Sequence, residues 1–167
     1  APKDGPARIY IRSLDSEELQ SLPGTEEAQY PFWSPDGNSL AFYVTGFLRR
    51  VELTGGSPRT LCPAPANVAG GTWSGNTILF SLNSPNAPIM RVPAEGGTAE
   101  PVTELDSKAG ESKHFAPFFL PDGDHFLYLG VGRTSNGTDT ATGLYVGSLS
   151  SKSRKALQPV GSNAQYA

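Results

Sequence analysis

At 167 residues, with 37% apolar and 10% aromatic side chains, the chain is long enough to bury a core and too apolar for a disordered segment. Its net charge of −3 gives no basic footprint for nucleic acid, and no apolar run approaches the length of a membrane span. The single Cys62 excludes an internal disulfide and a multi-cysteine metal site, while 19 glycines and 15 prolines, about a fifth of the chain, disfavour long helices.

The opening, APKDGPARIY, has neither the basic nor the apolar region of a signal peptide. Residues 8–22 read as two short strands, RIYIRSLDS and ELQSL. The segment YPFWSPDGNSLAF then breaks an apolar run with Ser-Pro-Asp-Gly and resumes it at once. Asp36-Gly37 is a preferred pair for a two-residue hairpin, and Pro35 before it ends the incoming strand, so Gln29–Trp33 and Ser39–Val44 are expected to pair. LAFYV is nearly all apolar, as suits a strand covered on both faces. Phe47–Leu53 alternates and is expected to be half-exposed, Gly55-Gly56 turns the chain, and Pro58–Cys62 closes a four-stranded unit. Cys62, at a strand end, is expected to be a buried, inert thiol.

The unit then repeats. FWSPDG (32–37) returns as FFLPDG (118–123), with TWSGN (72–76) as a shortened version between them, so Trp33, Trp73 and Phe119 mark one position. A second landmark follows in the same order, RRVELTGG (49–56), MRVPAEGG (90–97) and LYVGSLSS (144–151). Four-stranded units of this length are the blades of an all-β propeller. The aromatics before the turns are expected to wedge between blades, with Asp36, Gly37, Asp122 and Gly123 shaping the turns. The chain is expected to form one propeller segment: a partial blade at 8–25, full blades at 28–63, 68–105 and 114–160, and the start of another at 162–167. Three full blades with incomplete ends make an open ring, or one that a partner or a longer chain completes.

WSPDGNSLAF and FLPDGDHFLYL resemble the repeat of the TolB-type, WD-like β-propellers. The longer order of motifs, from YPFWSPDG through GES-H to FLPDG and YVGSL, resembles the propeller that follows the kinase domain in many bacterial serine/threonine kinases. The resemblance runs from about residue 8 to the end. It implies a non-catalytic interaction or sensor propeller outside the cytoplasm, in the periplasm, with protein partners and no cofactor. Two alternatives stand beside it: a structural subunit of a larger membrane-associated complex, which fits the incomplete ring, or the accessory propeller of a prolyl-oligopeptidase-type hydrolase. The glycine-rich loop with its lysine, HRD and DFG of a kinase are absent from this sequence.

Function is expected on the face that carries the longer loops, 62–71, 105–114 and the insertion 132–143. His114, placed just before an innermost strand and so near the central channel, has Asp106 and Glu111 upstream. Imidazole with two carboxylates is the material for a metal site or a proton relay; the plainer expectation is that His114 hydrogen-bonds the loop it ends. Arg133, Asn136 and Asp139 on the polar insertion complete the candidate binding face, and His125 is expected to be structural. In the kinase-linked propellers the motif continues Gly-Glu-x-Ser-His-Arg-Trp; here Phe115-Ala116 follow His114. No G-x-S-x-G nucleophile motif and no calcium loop is present.

Overall fold

The computed structural model describes residues 7–158. Residues 8–25 contribute a two-stranded sheet, β1 (Tyr10–Ile11) and β2 (Gln20–Ser21). Three four-stranded antiparallel sheets follow, each a simple meander. The first is β3 (Gln29–Trp33), β4 (Ser39–Val44), β5 (Phe47–Glu52) and β6 (Arg59–Pro63). The second is β7 (Val68–Ser74), β8 (Thr77–Leu82), β9 (Ile89–Pro93) and the two-residue β10 (Glu100–Pro101). The third is β11 (Glu111–Phe119), β12 (His125–Arg133), β13 (Asp139–Ser148) and β14 (Arg154–Gln158), and it begins three residues before the expected blade boundary at 114. The segment 162–167, read as the start of a further blade, lies outside the described residues.

The innermost strands lie side by side, β3 against β7 and β7 against β11, so the sheets stack as successive propeller blades. Burial follows the sequence pattern. All six residues of the apolar β4 are buried, whereas β5 buries Leu48 and Val51 and leaves Arg49, Arg50 and Glu52 partly exposed. One apolar cluster joins blades one and two, with Tyr43, Leu48 and Leu61 against Val68, Trp73 and Phe80. A second joins blades two and three, with Leu79 and Ile89 against Phe119, Phe126 and Tyr128. Each fully buried side chain of this size stabilises the stack by about 1.5–3 kcal/mol. Glycines set two of the closest approaches. The Phe32 ring of blade one lies where a side chain at Gly71 of blade two would stand, and a methyl group at Gly147 would come within 2.6 Å of the Phe126 ring.

Two expectations are corrected. The Asp36-Gly37 link is not a two-residue hairpin: the strands end at Trp33 and restart at Ser39, and of the pair only Gly37 has positive φ (70°). Asp36 instead accepts hydrogen bonds from the Ser34 hydroxyl (2.5 Å) and the Asn38 N–H (3.0 Å), an Asx turn that needs the longer link. These donors, the Ser34 hydroxyl first, hold the Asp36 carboxyl down at about 2. Blade two, without Pro-Asp, has the two-residue turn at Gly75-Asn76. Second, Trp33 does not pack between blades. It is 53% exposed, whereas Trp73 and Phe119 at the equivalent positions are 9% and 7% exposed. Each of the buried two rests on the full blade before it, and Trp33 is preceded only by the two-stranded sheet.

A feature that the sequence did not announce recurs in every blade. The innermost strands break register between Gln29 and Phe32, Val68 and Gly71, and Phe115 and Phe118. At each break one residue has positive φ: Tyr30 (51°), Gly70 (112°) and Ala116 (50°), each three positions before its aromatic marker. Pro31 and Pro117 follow two of these bulges, where a backbone N–H has no ladder partner to lose.

Candidate functional site

The cluster lies where the chain leaves blade two and enters blade three. After β10 the backbone runs extended through Val102–Leu105 and then turns in a single 3-10 turn, Ser107–Ala109. Asp106 caps that turn through its side chain, accepting from Lys108 N–H at 2.9 Å and Ala109 N–H at 3.2 Å, and Gly110 (φ 74°) ends it in the left-handed conformation. Glu111 then opens β11, with His114 one turn of pleat further along.

The structure corrects the position of His114. It lies within β11 rather than before it, and it is fully buried, so it does not line an open channel. Its Nε2 is 3.1 Å from Glu111 Oε2 and its Nδ1 is 2.7 Å from Thr103 Oγ1. Thr103 Oγ1 also accepts the Ile89 N–H at 2.9 Å. With Nε2–H donating to the carboxylate, Nδ1 is free to accept the threonine proton, and a neutral imidazole satisfies both bonds. Burial holds His114 below the ordinary histidine range, against the pull of Glu111.

Glu111 is the hub. Its buried carboxylate receives the Asp106 N–H at 2.7 Å and Arg154 Nη1 at 2.8 and 2.9 Å. Burial alone would raise its pKa, but the Asp106 N–H, Arg154 and His114 together hold it below the usual carboxylate range. Arg154 reaches Asp106 Oδ2 at 3.3 Å and stacks over the Tyr145 ring at 4.7 Å. Room for the carboxylate comes from Gly130, where a methyl group would lie 2.9 Å from Glu111 Oε1. Tyr128 packs on His114 (centroids 4.7 Å) and on Tyr145 (5.4 Å), and burial pushes its phenol up to about 12. Its hydroxyl has no hydrogen-bond partner among the described residues.

Asp106, Glu111 and His114, singled out from the sequence, therefore do come together. Sequence reasoning missed Thr103 and Arg154, which complete the network from eleven positions before His114 and 43 positions after Glu111. Arg154 occupies the carboxylates where a cation would bind, and among the described residues no group of three metal-ligating side chains converges. The other three candidates lie elsewhere. Asp139 pairs with Lys113 at 2.6 Å, Arg133 Nε donates to Gly137 O across the hairpin end at 3.0 Å, and Asn136 is exposed in that turn. His125 is exposed and bonds the turn carboxylate of Asp122 at 2.7 Å. Cys62 is buried, and burial pushes its thiol up to about 11.

Above the network, between the outer edges of blades two and three, a groove of about 690 Å³ is walled by Thr103–Lys108 on one side and Lys152–Arg154 on the other, with Tyr128 in its floor.

Solved structures with the same arrangement of blades include a protein assigned as TolB from Agrobacterium tumefaciens, at 24% identity and a TM-score of 0.60 over 86% of this chain. TolB from Acinetobacter baumannii superposes with a TM-score of 0.65 at 18% identity over 90% of the chain. This chain has the fold of a TolB-type β-propeller. It spans 50% of the Agrobacterium protein and 37% of the Acinetobacter one. A chain of the nidogen–laminin complex matches with a TM-score of 0.62 at 12% identity, covering 83% of the TolB-type segment and 51% of its own length. No family model and no curated protein sequence matches.

Proposed function

We propose that this TolB-type segment is a non-catalytic platform for protein partners and acts outside the cytoplasm. The observation that carries the reading is how the titratable groups are used. The Glu111 carboxylate is taken up by His114, Arg154 and the Asp106 N–H, and the second His114 nitrogen by Thr103, which leaves neither side chain free to serve a substrate as a general base. What stays open to solvent is surface: the outer groove and the Arg133–Asp139 hairpin end. The nidogen–laminin match supports the reading by analogy, since that propeller was solved within a protein complex. The periplasmic location and the link to kinase-associated propellers rest on the sequence motifs alone.

A second reading, as a subunit packed into a membrane-associated assembly, is favoured by one observation. Trp33 and Tyr30 lie half-exposed on the leading edge of blade one, an unusual amount of aromatic surface to leave in water.

Photo-crosslinking residues at Asn136 and at Trp33, with Ser57 as an exposed control, test both in the intact source cell. Adducts from Asn136 in the extracytoplasmic fraction support the platform, and adducts from Trp33 support the assembly. Adducts from neither position, or protein confined to the cytoplasm, would overturn the proposal.

A further inference from the structure

Within the platform reading, the geometry points to the outer groove between blades two and three as the site for an extended polypeptide strand with acidic side chains. The strand would pair with the backbone of residues 102–105. Three observations meet there.

The first is an edge held rigid from behind. The Val102 N–H is bonded inward to Ile89 O at 2.8 Å, Thr103 is held through its hydroxyl to Ile89 and His114, and Asp106 N–H is fixed by Glu111. The buried network thus acts on the inner side of this segment and clamps both ends of it. An edge ordered in advance loses little entropy when a partner docks.

The second is unused backbone. Among the described residues, the N–H groups of Thr103, Glu104 and Leu105 have no hydrogen-bond acceptor. The blade's own outer strand stops at Pro101, whose ring bars pairing at that position, so the free run begins directly after it. Because N–H groups alternate sides along an extended strand and that of Val102 faces inward, those of Thr103 and Leu105 face outward, and a strand laid along 102–105 would pair with these two in the way that peptides extend a sheet edge elsewhere.

The third is charge. In the groove wall, Arg91 is paired with Glu100 and Arg154 with Asp106 and Glu111, whereas Lys108 and Lys152 have no ion-pair partner among the described residues. Both lysines are exposed and line the groove, Lys108 from the linking segment and Lys152 from the link between β13 and β14. Glu104 is the one unpaired acid on the wall, so the two exposed lysines are the groups left to attract carboxylates on an incoming strand. The volume of about 690 Å³ is within the range of sites that hold ligands of several residues.

The test uses a fluorescent decapeptide of alternating valine and aspartate, its valine–lysine counterpart, and the aspartate peptide N-methylated at alternate residues. The expected result is binding of the aspartate peptide alone, together with slowed amide exchange at Thr103 and Leu105. Lys108→Glu combined with Lys152→Glu, both on exposed side chains, is expected to weaken binding about tenfold or more. Equal binding of the lysine peptide, equal binding of the N-methylated peptide, or binding that leaves those two amides unprotected would each overturn the inference. Crosslinking at Asn136 keeps the outcomes separate: adducts there without strand binding in the groove would leave the platform standing and remove only this site.

Discussion

The two blade seams each hold an apolar cluster and differ in where they keep their charges. Between blades one and two the interior is apolar and the charges stay outside. Arg50 lies over the Trp73 ring at 4.9 Å and bridges Glu52 at 2.7 Å and Glu95 at 3.2 Å, with Arg59 also on Glu95 at 2.7 Å. Between blades two and three a carboxylate and an imidazole are fully inside, tied to Thr103 on the linking segment and to Arg154 on the outermost strand. Surface ion pairs contribute little, because water replaces a lost partner. A buried pair is worth little more than a well-packed apolar substitute, but removing one member strands the other in a medium that cannot solvate it. One repeat therefore admits two fastenings, and only the second puts a histidine and a carboxylate out of reach of water.

The sharpest way to break this contrast is Glu111→Ala, which leaves the His114 Nε2–H and the Asp106 N–H without an acceptor and takes from Arg154 its buried partner. A loss of about 3–5 kcal/mol is expected in denaturant unfolding. A loss below about 1 kcal/mol would show that the network is solvated rather than buried. Next comes the apolar seam. Trp73→Ala is expected to cost about 3 kcal/mol by leaving a cavity, and Trp33→Ala less than about 1 kcal/mol because its ring already faces water. Equal costs would mean that something covers Trp33 in solution.

Acid should separate the seams further. The folded pKa values of His114 and Glu111 both lie below their ordinary values. The stability each group contributes is therefore present at neutral pH. It is lost as the pH falls below about 6.5, where the unfolded histidine takes up a proton, and again through the carboxylate range. A thermal melting series from pH 7 to 4 should fall in these two stages, and His114→Gln should remove the upper one. An unchanged upper stage in that variant would assign it to another group. The smallest effect is expected at the bulges, where Ala116→Gly relieves a left-handed alanine and should raise stability by about 0.5–1 kcal/mol. A decrease would mean that the methyl group packs productively.

Much of the fold was legible because the signals are local: Ser-Pro-Asp-Gly, paired glycines and alternating strands each act over a few residues. The same locality misled at Trp33, whose motif matches Trp73 while its neighbour does not. Of the site, Asp106, Glu111 and His114 fall within nine residues and could be read together. Arg154 could not, since nothing in SRKAL distinguishes it from Lys155 until β14 pairs with β13, which sets Arg154 opposite Gly147 with its guanidinium over the Tyr145 ring. The bulges were hidden for a different reason. Only Gly70 of the three has the residue type that the conformation favours, so Tyr30 and Ala116 take their geometry from the fold rather than from their own preference.

The missing side chains at Gly71 and Gly147 have a consequence for how such a chain avoids assembling itself wrongly. Blades built from near-copies can exchange partners or slip by a residue, a common failure of repeat proteins. Phe32 fits over Gly71, while the neighbouring Thr72 spends its hydroxyl on the Phe119 N–H of the next blade. Phe126 likewise fits over Gly147. Shift Phe32 one position towards Thr72, or Phe126 one position to either side of Gly147, and the ring meets a side chain instead of a gap. The glycines thus work as keyways, each accepting its ring in one alignment, and they give nearly identical blades separate identities during folding.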